Sequence, residues 1–286
     1  MSDLGRVSVV GAGQIGTSIG MALRASPAAP ETVEVWDVDP AQARDCAARG
    51  GADRALHAPE EVLGADFVVL AIPVSEVVHW VSTFGNSVGP QTLVIDTGSA
   101  KEAVVASMRA HSAAGKHCMG GHPICGNEGR GPQAADPRML AGSAFVLTPV
   151  GDDSWALDRA LTLVRAVGAR PLVLDATRHD EILAISSHLP HLLAAALLHL
   201  VPEDGPGESL WRDLLGPGFR GSTRLAASDP KMVASFLSAN AGPLRRALAE
   251  VQRELALLGE SLASEEAVTA RLEGASRRRS RLVGDC

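Results

Sequence analysis

A chain of 286 residues with a net charge of -7 and 21% charged side chains is sized for about two globular domains, and its acidity excludes a nucleic-acid footprint. Its longest apolar run, residues 189–201, includes two histidines and a proline and falls short of the roughly 20 residues a bilayer span needs, so no membrane partner is expected. Four cysteines without framework spacing (Cys46, Cys118, Cys125, Cys286) and a strand pattern within six residues of the N-terminus point to a reducing, cytoplasmic compartment and leave no room for a signal peptide.

Val7-Ser8-Val9-Val10 is a short β-branched run ending at Gly11-Ala12-Gly13-Gln14-Ile15-Gly16, and an apolar helical pattern follows through Leu23. Strand, G-x-G-x-x-G and helix is the order that holds a dinucleotide. The glycines give a tight turn, a close backbone approach to pyrophosphate and a close helix–strand contact. The helix N-terminus then offers free N–H groups to phosphate. A second strand, 33–37, ends in Asp37, 21 residues after Gly16. An acid there accepts hydrogen bonds from ribose hydroxyls and repels a 2′-phosphate, which favours NAD. Arg44 lies close enough in sequence to keep NADP open.

The alternation continues with strands at 66–72, 92–96, 143–148 and 171–174 and helices at 75–84, 101–111 and 154–167. Strands alternating with helices argue for a doubly wound parallel sheet with a mixed edge, filling a dinucleotide-binding domain over residues 1–175. From Ala176 the period is helical throughout. A long apolar pattern covers 176–201, and Pro190 either starts a helix there or kinks one. Further helical segments are expected at 207–215, 223–227, 230–239 and 241–263, within a substrate and dimerisation domain spanning 176–263. Such an all-helical half has more apolar surface than it can bury alone, so a homodimer is expected. The remaining 264–286 holds Ser276-Arg277-Arg278-Arg279-Ser280-Arg281, a basic run read as a solvated, disordered end.

Several groups carry the chemistry. Gly120-Gly121-His122-Pro123-Ile124-Cys125-Gly126-Asn127-Glu128 sets an imidazole and a carboxylate six residues apart. With Gly129 it holds four glycines in ten residues, which is the composition of a loop letting backbone approach a ligand. His122 is placed between a nicotinamide ring and a substrate. His117, Cys118, His122 and Cys125 lie within nine residues but lack the spacing of a zinc site, so no metal is expected. Thr97-Gly98-Ser99 follows a strand at its carboxyl end, where its hydroxyls either meet a ligand or cap the next helix. Ser187-His188-Leu189-Pro190-His191 places two imidazoles on one helical face, and Gly218-Phe219-Arg220-Gly221-Ser222-Thr223-Arg224 offers guanidinium forks for carboxylates. There is no tyrosine, and none of the three lysines (Lys101, Lys116, Lys231) falls in the long apolar helix. That counts against hydroxyacid dehydrogenases of similar layout, which place a catalytic lysine there.

Taken together, the sequence from Val7 to about Leu258 resembles the prephenate and arogenate dehydrogenases of the tyrosine pathway. The motifs that carry the resemblance are Gly11 to Gly16, Asp96 to Lys101, Gly121-His122-Pro123, Ser187 to His191, and Gly218 to Arg224 followed by Asp229-Pro230. The resemblance implies a Rossmann-type domain followed by an all-helical dimerisation domain. It also implies that a cyclohexadienyl dicarboxylate loses a hydride to NAD+ and a carboxylate as CO2. His122 aligns with the catalytic histidine and Ser99 with a serine bonded to it and to the substrate hydroxyl. Arg224 aligns with the arginine that clamps a carboxylate, His191 with a residue at the side-chain end, and Glu128 with an acid at the site mouth. Ser187, His188 and Asn127 join the substrate set, and Gly11, Gly13, Gln14, Ile15, Gly16, Asp37, Pro73 and Thr97 form the cofactor set.

Two positions depart from the family pattern: Gly221 stands where aspartate is usual, and Asn127 where serine or threonine is common. Both bear on the substrate, which the sequence leaves open among prephenate, arogenate and 4-amino-4-deoxyprephenate. A non-catalytic NAD-binding sensor and a reductase of imines or hydroxyacids are the remaining alternatives. No regulatory ligand-binding module follows the helical half, so little tyrosine control through a separate domain is expected.

Overall fold

The computed structural model describes residues 4–111, 117–202 and 208–284; Lys116, Cys286 and the expected helix start at residue 207 lie outside the described residues. The chain forms two compact units, Met1–Ala241 and Gly242–Cys286.

The first unit is built on one eight-stranded sheet in the order β3-β2-β1-β4-β5-β6-β7-β8. In chain order its elements begin with β1 (Arg6–Val10), α1 (Gln14–Ala25), β2 (Thr32–Trp36), α2 (Pro40–Ala48) and β3 (Arg54–Ala55). They continue with β4 (Phe67–Leu70), α3 (Val74–Phe84), β5 (Leu93–Asp96), α4 (Glu102–His111), β6 (His117–Pro123), β7 (Ala144–Pro149), α5 (Ser154–Ala166) and β8 (Arg170–Val173). Neighbours pair in parallel except β6 and β7, so the edge is mixed. The central strands read as unbroken apolar runs because helices cover both faces. In β4, Phe67 and Val69 join a cluster with Ile19, Leu23, Ala160 and Leu163. Val68 and Leu70 join the opposite one, with Val77, Val81, Val104 and Met108.

The glycine-rich stretch expected as a loop is instead strand through Pro123, with Gly121 opposite Leu147 and His122 opposite Val146. Its glycines answer to packing rather than to a ligand. A Cβ on Gly121 would lie 2.3 Å from the Asp96 carbonyl oxygen, and one on Gly120 3.1 Å from Thr148. Only a strand without side chains fits this close to its neighbours. Tertiary fit thus overrides a poor strand propensity. The loop proper starts at Ile124.

After the sheet, α6 (Ala176–Leu183), a π-helical turn (Ala184–His188) and α7 (Leu189–His199) follow without a break. Together they make a helix of 24 residues whose most apolar 18-residue stretch has mean hydropathy 1.5, long and apolar enough by length and composition alone to cross a bilayer. In this fold the helix turns buried His179, Asp180 and His188 toward α4 and toward Asn240. Pro190 sits in the first turn of α7. A proline ring crowds the carbonyl four residues back. That residue is Ser186, inside the wider π turn, where the helix continues past the proline.

The chain continues through α8 (Glu208–Leu214), α9 (Pro217–Thr223), a 3-10 turn (Arg224–Ala227) and α10 (Pro230–Ala239). Asp229 caps α10 by accepting from the Lys231 and Met232 amides at 2.8 and 3.1 Å. Ser235 of α10 accepts from the Ser75 amide at 3.0 Å and so ties α10 to the start of α3.

The second unit consists of α11 (Ala241–Ser261) and α12 (Glu265–Val283). The tail expected to be disordered is therefore largely helical. Ser264 caps it by accepting from the Ala267 amide, Glu265 and Glu266 occupy the positive end, and Glu273 pairs with Arg277 one turn on at 3.3 Å. The basic run is the C-terminal part of a capped, charge-paired helix.

Candidate active site

The nucleotide end of the sheet is assembled by β1, β2 and α1. Gly11 has φ +103°, and a Cβ there would meet the Ala71 carbonyl oxygen at 2.4 Å; a Cβ on Gly16 would meet the Gly11 carbonyl at 2.0 Å. Gly13 caps α1 with no side-chain bond and has open space where a Cβ would stand, with Ile15 following in the first turn. The first N–H groups of α1 are thus left for an anion. Asp37, at the end of β2, accepts from the Ala12 amide at 2.7 Å and the Asp39 amide at 2.8 Å, which fixes it beside this turn. These residues fit a dinucleotide. Pro73, exposed, precedes α3, and Thr97 is half-buried after β5, with its amide on the Leu70 carbonyl at 3.0 Å. Arg44 is exposed on α2.

Next to this turn, the carboxyl ends of β5 and β6 are locked by a buried ion pair. Lys101 and Asp96 have no exposure and contact each other directly. The Lys101 ammonium also donates to the Gly121 carbonyl at 2.8 Å, while Asp96 accepts from the Gly98 and Gly121 amides at 2.7 and 2.9 Å. Burial pulls Lys101 below the usual lysine range, and the Asp96 carboxylate opposes that pull. The pair fixes the backbone on both sides of the site: Ser99 lies in the segment it closes, and His122 follows Gly121.

His122 is half-buried at the end of β6. Its Nδ1 lies 2.9 Å from His179 Nε2, and His179 Nδ1 lies 2.7 Å from Asp180 Oδ1. Asp180 has no exposure and also accepts from the Lys101 and Glu102 amides at 2.7 and 2.9 Å. Desolvation holds His122 well below the ordinary imidazole value, with His179, Lys101 and His188 adding to the effect. The imidazole is kept neutral. His179 and Asp180 have no counterpart among the residues expected from sequence; their signal was an adjacent imidazole and carboxylate ahead of the long apolar run.

The remaining residues fall into two groups. Glu128 pairs directly with Arg224, and Arg130 pairs with Asp229 at 3.2 Å, so the loop after β6 is held against the turn after α9. Gln14 donates to Asn127 Oδ1 at 2.7 Å and to the Ala134 carbonyl at 3.1 Å, which binds this loop to α1. Gly221 has nothing within 4 Å of where a Cβ would stand. Ser187 is half-buried in the π turn, and half-buried His191 meets the Phe236 ring edge-on at 5.3 Å between centroids.

His188 departs from the substrate role expected of it. It has no exposure, stacks on Phe236 at 4.8 Å and pairs through Nδ1 with Asn240 at 2.9 Å. Burial pushes its imidazole down to about 4. On the widened π turn, His188 points into the α10 contact and is a neutral packing residue.

Known proteins resemble this chain in sequence and in fold. The nucleotide-binding domain of prephenate dehydrogenase matches residues 19–173, and its dimerization domain matches residues 175–271. The chain is 33% identical over 258 residues to the protein named probable prephenate dehydrogenase NovF of Streptomyces niveus, covering 89% of this chain and 68% of the relative. It is 30% identical to the prephenate dehydrogenase of Lactococcus lactis, covering 82% of this chain and 65% of that protein. The chain thus spans about two thirds of the length of these two relatives. The crystal structure of the Aquifex aeolicus prephenate dehydrogenase in complex with hydroxyphenyl propionate and NAD+ superimposes with a TM-score of 0.89 at 26% identity, over 98% of this chain and 99% of that one. With a Rossmann-type sheet, a helical C-terminal part and both family domains in register, the chain belongs to the prephenate dehydrogenase family of NAD-dependent, decarboxylating oxidoreductases.

Proposed function

We propose that the protein oxidatively decarboxylates prephenate with NAD+, giving 4-hydroxyphenylpyruvate, NADH and CO2. The observation that carries this reading is a neutral, half-buried imidazole, His122, on the sheet edge that also presents the uncapped α1 turn. NAD+ supplies the hydride acceptor when bound, with its pyrophosphate at Gly11 to Gly16 and its adenosine ribose at Asp37. His122 draws the proton from the ring C4 hydroxyl as hydride leaves that carbon, and Ser99 holds the same hydroxyl. Arg224 holds the ring carboxylate. When the bond to that carboxylate breaks, its electron pair enters the ring, CO2 departs, and the proton returns to the phenol oxygen. Ser187, His191 and Asn127 serve the side-chain end, and Glu128 stands at the site mouth beside Arg224.

The test is NADH formation with prephenate, arogenate and 4-amino-4-deoxyprephenate, each with NAD+ and with NADP+. Prephenate with NAD+ should give the highest kcat/KM. A different preferred substrate or NADP+ preference would overturn that part of the reading, and silence with all three would overturn the catalytic role.

The same reading makes the protein a cytoplasmic homodimer. Support comes from the dimerization-domain match and from exposed apolar side chains in that region, among them Ile185, Leu200, Leu210 and Leu214. Light scattering at micromolar concentration should give twice the chain mass, and a monomer there would refute it.

A further inference from the structure

We propose that His179 and Asp180 are positioning residues that fix His122 in its Nδ1–H form, leaving Nε2 bare as the proton acceptor; the catalytic meaning of this rests on the function proposed above. An ionised carboxylate only accepts hydrogen bonds. Asp180 already takes the Lys101 and Glu102 amides at 2.7 and 2.9 Å, and its third neighbour is His179 Nδ1 at 2.7 Å. His179 Nδ1 therefore carries a proton. In a neutral imidazole the other nitrogen is then an acceptor, so His179 Nε2 accepts. The atom facing it at 2.9 Å is His122 Nδ1, which must donate. His122 Nε2 is left without a proton, the form a base needs.

The surroundings hold this pattern in place. Asp180 is fixed by two backbone amides at the start of α4, and its own carbonyl accepts from Asn240 at 2.8 Å. His179 and Asp180 have no exposure, so water does not compete for either nitrogen. The ionisable groups facing His122 are His179 from α6, Lys101 from the segment before α4 and His188 from the π turn. None of these is an anion that would favour the doubly protonated ring. As His122 takes a proton at Nε2, its Nδ1–H bond to His179 strengthens and the charge is steadied by a path ending at Asp180.

The test reads the tautomer directly. Long-range proton–nitrogen correlation on ligand-free protein with 15N-labelled histidine, the His122 signals assigned by their loss in His122→Asn, should show a protonated Nδ1 and a bare Nε2. In His179→Phe that pattern should give way to a mixture or to Nε2–H, and kcat should fall by about 10²-fold or more with KM little changed. His179→Gln, whose amide oxygen can accept where Nε2 did, should recover part of both. A wild-type His122 protonated at Nε2 overturns the proposal, as does an undiminished kcat in His179→Phe. If His179→Phe does not fold, the wild-type spectrum and His179→Gln still decide. The expected tautomer with no turnover of any dienyl substrate would sink the proposed function and leave the relay standing.

Discussion

Replacing His122 by asparagine is expected to lower kcat with the dienyl substrate about 10²- to 10⁴-fold, the usual worth of a positioned general base. Asparagine keeps a polar side chain of similar reach but has no lone pair that gains a proton near neutral pH. NAD+ binding measured by calorimetry should be little changed, because the proposed pyrophosphate and adenosine ribose contacts are at Gly11 to Gly16 and Asp37. A loss carried mainly in KM would show that His122 binds substrate instead of moving its proton. The wild-type pH profile gives an independent check. His122 works only when neutral, and its pKa is lowered, mainly by desolvation, from the ordinary 6.5. The neutral form therefore persists as pH falls through the usual imidazole range. The plateau in kcat should extend below pH 6.5 and break only in more acid solution. An acid limb centred at or above that value would contradict the assignment.

The second large effect concerns Lys101, which touches no substrate in this reading. Lys101→Met leaves the Asp96 carboxylate buried with the Gly98 and Gly121 amides at 2.7 and 2.9 Å but without its cation. An uncompensated buried charge costs about 3–5 kcal/mol, enough to lower the melting temperature by roughly 10 °C. Asp96→Asn with Lys101→Met should recover much of that loss, since neutral groups can replace a buried pair at little net cost. Activity should not return in step, because the Lys101 ammonium also holds the Gly121 carbonyl beside His122 at 2.8 Å. Thermal melts of both variants decide the matter. A single variant as stable as wild type would mean the pair contributes nothing.

The parts of the fold legible in sequence were those whose local pattern agrees with their burial. Residues 67–70 and 93–95 are apolar on both faces because both faces are covered, and Gly11 to Gly16 with Asp37 announces its turn. Three kinds of feature were hidden. β6 carries Gly120 and Gly121 where neighbours come too close for a side chain, so the composition of a loop marks a crowded strand. α2 and β3 are short and only weakly apolar, and α12 buries no residue, so none shows a strong period. His179 and Asp180 were missed because their importance depends on three segments, 96–101, 117–123 and 176–180, meeting at one point. His188 was misassigned because its neighbour in sequence, Ser187, faces differently on a turn that is not α-helical.

The π turn at Ala184–His188 also sets a constraint on insertions and deletions. Each residue advances an α-helix by about 100°, and a wider turn holds one more residue over nearly the same rise. The helix after the turn is therefore out of phase with the helix before it by one residue. Asp180 reaches the α4 amides from one side of this step, and His191 reaches Phe236 from the other. Deleting a residue there would restore a regular helix and rotate everything beyond it by about that angle. His191 would leave Phe236 while Asp180 stayed in place. A single-residue change in the length of this helix would therefore uncouple its two ends.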